Sequence, residues 1–251
     1  MDKSLYDNIY QVESTHWWYK ARRDIIFDWV WRTLKRYDHP RILDIGCGTG
    51  FNISYLKQAG YEQADGLDVS KDALAYCQSR NLEDIILSSA ETLPIQDSTY
   101  DVVLALDIIE HLPNDRQALS DIHRILKTNG TLGIFVPAYQ FLWSFQDEIS
   151  HHQRRYVAGE LREKLTKTGF HIRKLTYVNT FLFPIIFLGR LVLRLFPGFF
   201  KIESESQLNP TWTNEILYHI FRSEIGFIRL VNFAFGVSIL CICEKQGTTE
   251  K

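Results

Sequence analysis

The sequence predicts an α/β fold with a doubly wound, mostly parallel sheet, and three observations carry that prediction. Short apolar runs alternate with stretches of helical periodicity from residue 41 onward. A glycine-rich turn, Gly46-Cys47-Gly48-Thr49-Gly50, joins the first apolar run to the first helical pattern. The 251 residues, 45% hydrophobic and 23% charged, suit one elaborated domain with a sizeable core.

The elements follow in order. Residues 41–45 read as the first strand, and 53–59 as a helix stopped by Gly60. Residues 64–69 form the second strand and 85–87 a short third one, with the fourth at 100–106. A helix is expected over 114–127, where Ala118, Leu119, Ile122, Ile125 and Leu126 keep a 3.6-residue period before Asn129-Gly130. The fifth strand is placed at 131–136. A helix over 158–168 ends at Gly169, a sixth strand follows at 171–178, and the last apolar alternation is 237–243. The domain plan is a helical arm or lid at 1–39, a core at 40–178 and 237–246, and an apolar helical insertion at 179–236.

The turn narrows the ligand. A dinucleotide site places its third glycine at the sixth position of G-x-G-x-x-G, but that position is Phe51 and the third glycine comes early, at Gly50. Asp44, two residues before Gly46, would repel a pyrophosphate and attract a cation. These features disfavour a NAD-dependent oxidoreductase and suit S-adenosylmethionine. Taken singly, each residue has a plainer reading. The turn could be a tight strand–helix connection, Asp68 could belong to the helix cap at Ser70, and Glu110 and His111 could serve a helix start.

Jointly these motifs resemble class I S-adenosylmethionine-dependent methyltransferases. The resemblance covers Asp44 through Gly50, then Asp68-Val69-Ser70, then Ser89-Ala90-Glu91, then 100–106, and Asp107-Ile108-Ile109-Glu110-His111-Leu112 as the D-x-x-E-H-L turn. It implies a Rossmann-like sheet of seven strands whose last strand enters antiparallel between the fifth and sixth. It also implies S-adenosyl-L-methionine as cofactor, held by Asp44, Gly46, Cys47, Gly48 and Gly50. Asp68 would accept the ribose hydroxyls beside Val69, Ala90 and Glu91 would border the adenine, and Leu106 would meet the methionine end. The arm, His16-Trp17-Trp18-Tyr19-Lys20-Ala21-Arg22-Arg23, resembles the H-W-W-[FY]-x-x-R-R entry of one bacterial branch often linked to surface-polysaccharide or lipid biosynthesis. There Tyr19 or Arg22 would lie nearest the cofactor, with the tryptophans closing a lid or stapling a helix onto the sheet.

The loop after the fifth strand should face the acceptor, because open α/β sheets bind ligands at the carboxyl ends of their strands. It carries Tyr139, then Asp147, then His152-Gln153-Arg154-Arg155-Tyr156, similar to the branch pattern of an Asp before H-x-R-R-Y. His152 is the candidate base with Asp147 orienting it. Tyr139, Arg154 and Arg155 are candidates for holding the acceptor, the arginines suiting a phosphate or carboxylate. The plainer reading leaves Arg155 and Tyr156 as loop anchors. No zinc-like ligand spacing follows His151-His152, so no metal is expected.

The expected function is methyl transfer to a small, lipid-linked or glycan-type acceptor. The alternative is a non-catalytic S-adenosylmethionine-binding module that partners another enzyme. A net charge of −2 gives no reason to expect nucleic-acid binding. Cys47, Cys77, Cys241 and Cys243 form no C-x-x-C pair, and no apolar stretch follows Met1-Asp2-Lys3-Ser4. A reduced, cytoplasmic protein without a signal peptide is the economical expectation. Arg190 and Arg194 interrupt the apolar run of the insertion, which argues against a spanning helix. Residues 180–200 instead suit a peripheral contact with the inner face of a membrane, or a buried acceptor cap or dimer interface. The oligomeric state is left open.

Overall fold

The computed structural model describes residues 3–195 and 210–247, so residues 1–2 of the expected arm and 196–209 of the expected insertion lie outside it. Helices α1 (Lys3–Val12) and α2 (Trp17–Leu34) come first. His16 caps α2, its Nδ1 accepting from the Trp18 N–H at 3.3 Å. Then β1 (Ile42–Ile45), α3 (Phe51–Gln58), β2 (Ala64–Asp68), α4 (Lys71–Ser79), β3 (Ile85–Leu87) and β4 (Tyr100–Leu106) alternate. A 3₁₀ turn at Ile109–His111 leads to α5 (Asp115–Ile125) and directly into β5 (Leu126–Pro137). The chain continues through α6 (Phe145–Ile149), α7 (Ala158–Lys167), β6 (Phe170–Val178), α8 (Phe183–Leu195), α9 (Thr211–Ile228) and β7 (Ser238–Lys245).

The seven strands form one sheet in the order β3-β2-β1-β4-β5-β7-β6. All pairs are parallel except those of β7, which runs antiparallel between β5 and β6, as the resemblance implies. The strand order reverses between β1 and β4, and there the carboxyl ends open a crevice. Every residue of β1 is buried, as suits a central strand covered on both faces. One face packs α5 and α7, through Leu119, Ile122, Leu161 and Leu165. The other packs α2, α3 and α9, through Ile25, Ile53 and Phe221.

One boundary differs from the sequence-based expectation. α5 stops at Ile125 and β5 begins at Leu126, which pairs with Tyr100. The helical period extends to Leu126, but that side chain is fully buried in the sheet core beside Tyr100. A register shift between Tyr100 and Val102, with Asn129 at φ 63°, absorbs the turn at Asn129-Gly130.

Arm and insertion, far apart in sequence, join in one layer. Phe221 and Ile228 of α9 are buried in the same cluster as Ile25 and Val30 of α2. Around that contact lie Lys20–Glu215 at 3.2 Å, Arg222–Asp24 at 2.9 Å and an Arg229–Asp28 pair. Exposed ion pairs contribute about 0–1 kcal/mol each, so the apolar burial holds the layer and the pairs set its register. Glu224, fully buried on α9, accepts from the Asn179 and Phe181 N–H groups at 2.8 Å each and so ties α9 to the end of β6. Among the described residues no helix is long and apolar enough to cross a membrane.

Candidate active site

The glycine turn fixes one wall. Gly46 has φ +69°, and a Cβ there would lie 2.6 Å from Ile108 Cδ1. Gly50 has φ +76°, and its Cβ would meet Leu82 Cδ1 at 2.6 Å and Cys77 Sγ at 2.8 Å. The early third glycine is therefore required by packing on α4 as well as by backbone conformation. Asp68, at the end of β2, accepts from the Gly48 N–H and the Ser70 N–H at 2.9 Å each. The Tyr6 hydroxyl of α1 lies 3.5 Å from the same carboxylate, so α1 lies across the tip of β2. α1 is anchored at its far end by Glu13, which accepts from Thr49 Oγ1 at 2.6 Å and pairs with Arg80.

A cavity of about 490 Å³ opens beside this turn, over the ends of β1, β4 and β5. Of the sequence-nominated residues it is lined by Tyr19, Arg22, Gly46, Cys47, Gly48, Leu106, Asp147, His152 and Arg155. Asp44 lies buried beneath the turn, accepting from Asn52 Nδ2 at 3.2 Å. Burial raises its pKa to about 7, against the Asn52 hydrogen bond and the Arg22 charge. Gly50, Asp68, Val69, Ala90 and Glu91 are not part of the lining. Val69 is exposed, Ala90 is buried, and Glu91 Oε1 accepts from the Asn114 N–H at 2.8 Å.

Two of the residues nominated for the acceptor also lie apart from the cavity. Tyr139 stacks on Tyr177, with ring centroids 5.0 Å apart, and its hydroxyl reaches the Ala234 carbonyl at 3.4 Å. Arg154 pairs with Asp115 at 3.1 Å and donates to the Pro113 carbonyl at 3.0 Å. Arg155 does reach the cavity, but its guanidinium clamps Asp147 through two 2.8 Å hydrogen bonds and also donates to the Ala138 carbonyl at 3.0 Å. It positions Asp147.

Asp147, His152 and Arg155 form a compact unit. Asp147 is completely buried, accepts from the Ser144 N–H at 2.8 Å, and lies 2.8 Å from His152 Nδ1. Burial alone would raise its pKa, but the bonds from His152 and Arg155 outweigh that and hold it well below the usual carboxylate range. An ionised Asp147 selects the His152 tautomer with the proton on Nδ1, which leaves Nε2 as the basic nitrogen. Arg22 Nη2 pairs with Asp107 at 2.6 Å, and Asp107 takes φ 55° where β4 ends. Burial raises the Asp107 pKa, offset by Arg22.

The sequence reading passed over two residues here. Among the described residues, the buried side-chain polar atoms that lack a partner belong to Arg22 (Nε), Glu110 (both carboxylate oxygens) and Asn179 (both amide atoms). Arg22 and Asn179 line the cavity, and Glu110 has a carboxylate oxygen within 4.8 Å of a ring nitrogen of each of the lining residues His111 and His152. Orphaned buried polar groups are costly, about 1–3 kcal/mol each, so their gathering at one cavity marks where ligands supply the partners. Glu110 was legible only as part of D-x-x-E-H-L. Asn179 carried one signal, a polar residue at the carboxyl end of β6. Burial raises the Glu110 pKa strongly, while burial pushes His111 down to about 3.

This sheet order and crevice define the class I methyltransferase fold. A model of the methyltransferase domain family (Methyltransf_11) matches residues 43–134, from β1 into β5. A protein of Mycolicibacterium smegmatis named a probable S-adenosylmethionine-dependent methyltransferase is 26% identical over 164 residues, which cover 64% of this chain and 62% of that one. Phthiotriol/phenolphthiotriol dimycocerosates methyltransferase 1 of Mycobacterium ulcerans is 33% identical over 96 residues, 37% of this chain and 35% of the relative. The chain thus spans less than two thirds of the length of either relative. In fold it is similar to a chain in the complex between the Haloferax volcanii Trm112 methyltransferase activator and a methyltransferase. That match has a TM-score of 0.65 and 16% identity, covering 99% of this chain and 97% of that one. Residues 43–134 are thus similar to a methyltransferase domain, and the cofactor that such a domain implies is S-adenosyl-L-methionine.

Proposed function

We propose that the protein transfers a methyl group from S-adenosylmethionine to a hydroxyl-bearing acceptor that is small and lipid-linked or glycan-type. The observation that carries this reading is the gathering of Arg22, Glu110 and Asn179, buried and with unpartnered polar atoms, at the cavity that also holds the Asp147–His152 pair. The residues fit the cofactor. Arg22 Nε matches its carboxylate, the negative charge of Asp44 its sulfonium end, and the Gly46–Gly50 backbone leaves room for close approach. Asp68 would exchange its 3.5 Å contact with Tyr6 for a ribose hydroxyl, next to Val69, Ala90 and Glu91. Tyr19 and Leu106 border the same cavity.

When bound, the cofactor supplies a methyl group already activated on a positively charged sulfur. The chain's own task is then alignment and proton removal. Alignment in a closed pocket is worth roughly 7–11 kcal/mol, and a placed base adds about 10²–10⁴-fold. His152 takes the proton of the acceptor hydroxyl at Nε2, with Asp147 and Arg155 holding the ring in place. Asn179 offers the acceptor one donor and one acceptor atom.

The acceptor class rests on α8. Its Ile186, Gly189, Arg190 and Leu193 line the cavity, while Ile185, Leu188, Leu191 and Leu195 are exposed. One helix thus links the pocket to an apolar outer surface, which suits an acceptor delivered from a membrane and a cytoplasmic protein resting on its inner face. The name of the Mycobacterium ulcerans relative points the same way. The H-W-W arm supports a place in the bacterial branch noted above, since Trp17 both lines the cavity and packs on Phe221 with ring centroids 6.2 Å apart.

The test uses isotopically labelled methyl donor with purified protein and fractionated bacterial extract. Label in organic-soluble material, lost in His152→Ala, is the expected result. Label confined to aqueous products would replace the lipid acceptor, and bound cofactor without any transfer would favour the non-catalytic module.

A further inference from the structure

We propose that Glu110, His111 and His152 form a binding site for a divalent metal ion, of the zinc class, in the wall of the acceptor pocket. The three residues come from two loops, the turn after β4 and the segment before α7, and the fold brings them together. Each offers one ligand atom, and these atoms all lie within 4.8 Å of one another. A tetrahedral site with bonds of about 2.1 Å has edges of about 3.4 Å, so filling it needs the side chains to close by at most about 1.4 Å.

Three independent features point to a ligand here. Both carboxylate oxygens of Glu110 are buried and unpartnered. The His111 and His152 rings meet edge to face, with centroids 4.6 Å apart and planes at 89°. The supporting contacts are those of a metal-binding histidine: His152 Nδ1 lies 2.8 Å from Asp147, so Nε2 is the atom left for the ion. The backbone at Ser150 and His151 also holds the His111 ring by hydrogen bonding. The backbone also braces the two loops, the Gln153 N–H donating to the Glu110 carbonyl at 2.8 Å.

Two imidazoles and one carboxylate suit zinc better than magnesium or calcium, which prefer all-oxygen sites. Three protein ligands leave a fourth position open, and His111 and His152 both line the cavity, so that position faces the acceptor. An acceptor hydroxyl bound there would lose its proton to solvent more readily, because the ion stabilises the oxyanion. The inference rests on the proposed function and changes one role in it: with the ion present, His152 Nε2 is a ligand and the ion, in place of that nitrogen, activates the acceptor hydroxyl.

The experiment titrates the full chain, stripped by chelation, with Co²⁺ as a visible probe of the zinc site, and then displaces it with Zn²⁺. One equivalent with ligand-field bands is expected, lost in His111→Ala and in His152→Ala. Asp147→Asn should weaken binding by about 10–100-fold. Glu110→Gln is read only if its circular dichroism matches wild type, since that side chain is buried. No bands in wild type, or bands that survive both histidine variants, would overturn the site. S-adenosylhomocysteine binding, measured on the same samples, separates the two ideas: cofactor binding without metal binding sinks this inference and leaves the methyltransferase reading standing.

Discussion

Asp44 carries the clearest pH signature among the site residues. Burial raises its pKa to about 7, so below that pH the cofactor-free protein holds the proton. A sulfonium ligand favours the ionised form, so binding must expel that proton when the pH is low. S-adenosylmethionine affinity should therefore fall as pH drops through about 7, by up to tenfold per unit, and level off above it. Calorimetric titration across that range checks this, and Asp44→Asn should flatten the profile. At the same scale, His152→Ala should lower kcat by about 10²–10⁴-fold while S-adenosylhomocysteine affinity holds. The Asp147–His152 pair was legible in the sequence because the two partners lie five residues apart, one on α6 and one just after it. Asn179 and Glu110 were not, since their significance comes from burial without a partner, which only the assembled fold creates. Arg154 and Tyr139 had the right chemistry in the right loop, but Asp115 and Tyr177 hold them elsewhere.

Among the elements, the glycine turn is the least tolerant. Gly50→Ala combines a left-handed backbone with a Cβ 2.6 Å from Leu82, and should destabilise by about 2–5 kcal/mol. Thermal unfolding would show it, and an unchanged midpoint would argue that α4 can move aside. The core strands and helices were readable because their periodicities are undisturbed, as at β1 and α7. The α5–β5 junction was not, because sheet pairing of Leu126 overrode the helical period. For α8 the sequence left a peripheral membrane contact and a buried acceptor cap or dimer interface both open. The Arg190 guanidinium donates to the Leu142 carbonyl and lines the cavity, whereas Arg194 is exposed. The packing of α8 against the loop after β5 decided where each arginine points.

For the whole molecule, the α2–α9 layer matters as much as the sheet, since it brings the arm and the insertion to one cavity. The exposed apolar residues continue beyond α8, through Trp212, Ile216 and Phe227 of α9 to Leu230 and Val231. Vesicles containing anionic lipid should therefore carry the protein in a flotation assay, and Ile185→Glu with Leu188→Glu should release it without altering cofactor affinity. Retention of the double variant would move the acceptor question away from the membrane. The most direct test of the central claim is calorimetric binding of S-adenosylmethionine to wild type, Arg22→Ala and Asp68→Ala. The account predicts one site per chain, weakened about 10–100-fold in each variant, as expected for loss of hydrogen bonds to charged groups. Absence of binding to wild type, or equal affinity in all three proteins, would contradict it.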